Sequence, residues 1–140
     1  MPPHASKRNV RWIKLKAVST PFVVKRLDHV QVAIPEGGEA RAEAFYSGIL
    51  GLEILPKPPL LAARGGRWFG RDGVQIHVGV EKDFRPAKKA HPALVFGGLD
   101  ALVARLAESG IRVRWDDEIP ATRRCFAEDP FGNRIELIEG

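Results

Sequence analysis

Cysteine is nearly missing from this chain. The single one, Cys125, excludes an intrachain disulfide and any cluster of several thiolates around a metal. That usage fits a reducing cytoplasm. Long apolar runs are missing too, so no segment reads as a membrane span. The charged N-terminus lacks a following apolar stretch and does not read as a secretory signal. A cytoplasmic location and no membrane partner are therefore expected. Acidic residues are missing from one region: residues 1–26 hold Lys7, Arg8, Arg11, Lys14, Lys16, Lys25 and Arg26 and no acid. The net charge of +5 thus belongs to the tail, and the rest, with 15 basic and 17 acidic residues, carries −2. A nucleic-acid-binding body would need a basic stripe with stacking aromatics, so no nucleic-acid partner is expected. Residues 1–24 read as a solvated basic extension, in which 10–15 could add a short strand.

What is present suffices for one domain with a real core over residues 25–140. Residues 27–34 alternate as a strand, stopped by Pro35 and Gly37-Gly38. A helix is expected over 39–50, with Ala40, Ala44, Phe45 and Ile49 near helical spacing and Gly51 as its stop. A short strand follows at 52–55. Residues 67–70 and 74–78 flank Arg71-Asp72-Gly73, a hairpin signal. After a polar linker at 81–90 the order repeats. A strand at 91–96 precedes a helix at 100–109, with Leu99, Leu102, Val103, Leu106 and Ala107 as its apolar stripe. Asp100 is its expected N-cap and Gly110 its stop. Strands at 111–115, 123–128 and 134–138 complete the second half. Module one thus covers 25–80 and module two 91–140, an α+β arrangement in which each sheet carries a helix on one face.

Four polar residues lie opposite their strands' apolar sets. His29 and His77 begin and end the first module, 48 residues apart; His91 and Glu136 do so in the second, 45 apart. Imidazole nitrogens and a carboxylate suit Zn²⁺, Fe²⁺, Mn²⁺, Co²⁺ or Ni²⁺. A lone strand histidine is more often a surface or hydrogen-bonded residue; the matched placement raises the joint case. Trp68 could wall a cleft or pack in the core. Gln31 shares the face of His29 and could orient a ligand. Arg123 or Arg124 could meet an anionic group, although such arginines are usually solvated. Cys125 reads as a small buried residue.

Leu27-Asp28-His29-Val30, Phe45-Tyr46 with Leu50-Gly51-Leu52, Ala90-His91-Pro92-Ala93 and the run from Asp129-Pro130-Phe131-Gly132-Asn133 to Glu136 resemble the vicinal oxygen chelate superfamily. It contains glyoxalase I, extradiol dioxygenases, fosfomycin-resistance enzymes and bleomycin-binding proteins. The resemblance covers about residues 27–139. It implies two βαβββ modules forming a half-open, barrel-like cleft. It implies a divalent metal held by His29, His77, His91 and Glu136, of which His29, His91 and Glu136 are the firmer three. His77 stands where glyoxalase I usually has a second glutamate. The resemblance further implies a small substrate chelating the metal through adjacent oxygens, in lyase, isomerase or dioxygenase chemistry. Glu136 or His77 would move the proton, and Gln31, Trp68 and Arg123 would contact substrate. A homodimer is expected on the same ground. The alternative it leaves open is a metal-free binding protein of the bleomycin-resistance type.

Overall fold

Alternating apolar and polar residues become eight strands in a computed structural model, which describes residues 19–140. The stretch at 10–15 lies outside the described residues. The first half forms β1 (Val30–Ile34), β2 (Glu53–Leu55), β3 (Arg67–Arg71) and β4 (Val74–Val80). The second forms β5 (Ala93–Phe96), β6 (Arg114–Asp116), β7 (Arg124–Glu128) and β8 (Arg134–Glu139). Each half makes one open mixed sheet, in the orders β1-β4-β3-β2 and β5-β8-β7-β6. The outer pairs β1–β4 and β5–β8 are parallel and the others antiparallel. The β3–β4 hairpin turns on Asp72 and Gly73, both at positive φ (50° and 84°), as a two-residue turn matched to strand twist requires.

The two sheets repeat in register. One row across the first sheet reads Gln31, His77, Trp68, Leu55. The equivalent row across the second reads Ala93, Glu136, Phe126, Arg114. His77 and Glu136 are therefore structural equivalents. His29 and His91, each two residues before the row's first member, are equivalents as well. Both lie just ahead of their strands, because β1 and β5 start later than their alternation suggests.

The helices cover the other faces. α1 (Glu39–Ala42) continues as wider π-helical turns over Glu43–Ile49, closed by a Leu50 N–H bond to the Phe45 carbonyl. It buries Ala42, Phe45, Tyr46 and Leu50, whereas Ala40 and Ala44, expected in the stripe, are exposed. Turning two aromatic rings inward removes far more apolar surface from water than turning in two methyl groups. A one-turn helix, α2 (Pro59–Ala62), was not expected; Pro59 opens it, a position where proline's missing N–H costs nothing. α3 (Leu99–Glu108) buries Leu99, Leu102 and Leu106; Ala107 is exposed. Its N-cap is Gly98, not Asp100. Glu139, arriving from β8, accepts the Leu99 N–H at 3.1 Å, while Asp100 pairs with Arg123 at 2.6 Å. A carboxylate forty residues away took the capping role, and local sequence gives no sign of it.

One apolar cluster joins the two halves, drawing on β1, β3 and β4, both long helices, and β7 and β8. At its edge the Asp129 carboxylate is buried. It accepts the Phe131 and Asn133 N–H groups, the Asn133 amide and the Tyr46 hydroxyl, the last at 2.8 Å. Asn133 also donates to the Ala33 carbonyl in β1 at 2.9 Å. The turn before β8 is thereby tied to the first module, and the far side of each sheet is left to the polar residues.

Candidate functional site

On the first sheet the polar row builds a ring stack. The His77 ring lies 4.0 Å from the ring of His29 and 4.5 Å from that of Trp68, each within 12° of parallel. Residues two apart on one strand, and directly opposite on its neighbour, share a face, which is why these rings meet. His77 is only 5% exposed, and burial, then the neighbouring His29, lowers its pKa. It is therefore neutral at neutral pH. Its Nε2 is 3.0 Å from Gln75 Oε1; with the proton there, Nδ1 keeps the lone pair. The His29 Nδ1–H donates to the Asp28 carboxylate at 2.9 Å, which leaves Nε2 as its free lone pair. Asp28 is lowered in pKa by His29 first and Arg26 second. A groove of about 590 Å³ runs past His29, Gln31, Lys57, Arg64, Trp68 and His77. Trp68 is thus a half-buried wall of this groove rather than core.

On the second sheet the equivalent positions hold a smaller, more polar pair. The His91 Nδ1–H donates to the Lys89 carbonyl at 2.7 Å, and Nε2 faces Glu136 Oε2 at 3.2 Å. A carbonyl can only accept, so a neutral His91 turns a lone pair toward the carboxylate. Two acceptors facing each other need a proton or a cation between them. Glu136 is buried, and its other oxygen accepts from Arg124 at 2.6 Å. Arg124 also donates to Asp116 at 2.7 Å, and its bond to Glu136 is the first cause of its raised pKa. This clamp around Glu136 runs through Arg124. Arg123, expected at the substrate, is held by Asp100 and Glu139 and stacks on Trp115. Alternation places neighbours on opposite faces, and the sequence alone left both arginines open.

The four candidate ligands come together as two pairs, His29 with His77 and His91 with Glu136. Among the described residues no three His, Cys, Asp or Glu side chains of one chain gather where they could hold a metal. Convergence of all four in one cleft of one chain was expected; the internal repeat instead puts one pair on the polar face of each sheet. The donor chemistry still fits a divalent cation. His29 and His91 present Nε2 lone pairs with Nδ1–H anchored, and Glu136 presents Oε2. At His77 it is Nε2 that is engaged, by Gln75 at 3.0 Å, so Nδ1 is the lone pair it could offer. Cys125 is fully buried, as the sequence reading expects, and burial raises its thiol pKa.

Comparison with known proteins bears on both halves. The family described as a glyoxalase-like domain matches residues 31–138. A glyoxalase family protein from Bacillus anthracis is 45% identical, with 86% of this chain and 99% of that one covered and a TM-score of 0.82. The fosfomycin resistance protein FosX from Listeria monocytogenes is 16% identical over 84% and 95% of the two chains, TM-score 0.68. Lactoylglutathione lyase from Agrobacterium tumefaciens is 20% identical over 86% and 96%, TM-score 0.61. The last two share the fold. None of the curated proteins is similar enough in sequence to match.

Proposed function

Because this chain belongs to the glyoxalase-like domain family, within the vicinal oxygen chelate superfamily, we propose that it is a small metal-dependent enzyme. Its substrate is a small molecule with two adjacent oxygens, in lyase, isomerase or dioxygenase chemistry. The observation that supports this reading is the set of ligand atoms on the polar faces: Nε2 of His29, and Nε2 of His91 facing Oε2 of Glu136 at 3.2 Å. A divalent ion held there would act as a Lewis acid on the paired substrate oxygens.

The remaining chemistry belongs to the protein's own side chains. Arg124 orients the Glu136 carboxylate and keeps one of its oxygens occupied. His77, neutral because it is buried, offers Nδ1 to take up a proton. Trp68 walls the groove, and Gln31, beside His77 in the register, is placed to hydrogen-bond a substrate oxygen. Arg123 is committed elsewhere and has no part in this scheme.

The half-sites imply a homodimer. A two-fold axis can bring the His29 end of one subunit to the His91–Glu136 pair of its partner, and the symmetry makes two such sites. Apolar side chains flank both ends: Phe22, Val23, Val24 and Leu27 lead to His29, and Val95 follows His91, all exposed. The test is metal analysis of protein purified without chelator. Wild type should carry about one divalent ion per subunit, and His29→Ala and Glu136→Ala should each lose it. An unmetallated wild type whose small-molecule binding survives both changes would establish the metal-free binder instead.

A further inference from the structure

Three guanidinium groups crowd one ring on the polar face of the second sheet. Arg114, Arg124 and Arg134 place their central carbons 4.9, 5.2 and 5.4 Å from the centroid of Phe126. Phe126 pairs with Glu136 on one side and Arg114 on the other, so this cluster adjoins the His91–Glu136 pair. Arg124 is committed to Glu136 and Asp116. Arg114 has only the distant Asp116, whose Oδ2 is 3.9 Å away and whose Oδ1 accepts from Arg124 and the Glu118 N–H. Arg134 makes no ion pair among the described residues. Two guanidinium groups against one ring thus share a single long contact to an acid, and an anion that joined them would lower the electrostatic cost.

The surroundings favour an anion. β6 is an edge strand, and it pairs with β7 only from Arg114 onward. The backbone before it therefore diverges from β7 and leaves a groove of about 640 Å³. Arg112, Arg114, Phe126 and Arg134 line that groove, with Glu128 and Asp129 as its acids. Glu128 is neutralised by Lys88 at 2.9 Å, and Asp129 is spent on its own turn and Tyr46. One more donor in the cluster, the buried Nε of Arg124, lacks an acceptor among the described residues.

We propose that Arg114 and Arg134, set about Phe126, form a binding site for an oxyanion: a carboxylate, phosphate or phosphonate group. Planar guanidinium forks match such groups through paired N–H···O bonds. That the oxyanion is the far end of the substrate rests on the function proposed above; that the groove binds one does not. Adjacent strands lie about 4.8 Å apart, so Arg114, two strands from Glu136, is about 10 Å from it in the sheet. The substrate would carry its chelating oxygens at one end and its negative charge at the other.

Calorimetric titration of chelator-treated protein with inorganic phosphate, methylphosphonate and acetate tests the site and separates the anion classes. Wild type should bind at least one of the three saturably, and added potassium chloride should weaken it. Arg114→Ala and Arg134→Ala should each weaken binding roughly tenfold or more, the loss expected of a charge-assisted pair. Arg134→Lys should recover part of it, and Glu128→Gln should tighten it. Melting curves matched to wild type show that the variants are folded. Metal content unchanged in both alanine variants separates this site from the metal site: anion binding without metal leaves only the substrate link unsupported. Absence of saturable binding in wild type, or unchanged binding in both alanine variants, overturns the proposal.

Discussion

At the residue scale, the candidate site is a matter of which nitrogen carries a proton. His29 and His91 each anchor Nδ1–H on an oxygen, Asp28 in one case and the Lys89 carbonyl in the other. That choice frees Nε2, and an anchored ring is more basic and better oriented than a loose one. His77 makes the opposite choice and is better placed as a base than as a ligand. Asp116 shows the same economy in a carboxylate. The Glu118 N–H is the first cause of its lowered pKa, with Arg124 contributing. Its folded pKa lies below its unfolded value, near 3.9, so its stabilising effect is present above about pH 4. That effect is lost as pH falls through the lower, folded value. Asp116→Asn should therefore lower the urea midpoint at pH 6, and the gap from wild type should close progressively below about pH 4. A gap that stays constant down to the acid transition would show that the charge on Asp116 does not matter.

At the scale of elements, the helix over residues 39–49 and the turn before β8 depend on each other. Tyr46 is fully buried, and its hydroxyl is held un-ionised, first by burial and then by the nearby Asp129. Tyr46→Phe keeps the ring but takes one donor from a buried carboxylate. The expected cost is about 1–3 kcal/mol, read as a lower denaturation midpoint with unchanged slope. The same carboxylate positions the strand that carries Glu136, so affinity for the proposed metal should fall along with stability. α3 is a simpler case. Leu106 is fully buried on a stripe readable from spacing alone, and Leu106→Ala should cost about 2–5 kcal/mol. Alternation and helical periodicity disclosed all eight strands and both long helices, because burial of one face is decided by neighbours two, three or four residues away. The caps were less legible. Glu139 closes the start of α3 from forty residues away, and the one-turn α2 has too few residues to show a period.

At the scale of the whole molecule, the repeat is the governing fact. Two sheets with the same register present two polar pairs of different chemistry, which the proposed function makes the halves of one metal centre. If the proposed dimer completes them, mixing His29→Ala with Glu136→Ala subunits should restore metal that neither holds alone. Random exchange makes half the dimers mixed, each with one intact site, so metal should return to about a quarter of the wild-type level. No recovery after proven subunit exchange would mean that each subunit builds its site unaided.

The amino-acid sequence by itself determined the order of elements, the apolar face of each and the short roll of residues that could ligate or transfer a proton. Those properties depend on side-chain type and on spacings of a few residues along the backbone. The tertiary structure alone decided which of those residues meet: His77 against Trp68 and His29, Glu136 against His91 and Arg124, Arg123 drawn off to Asp100. Such meetings depend on strand register and on how two sheets share one core, and both are settled by packing between segments far apart in the chain.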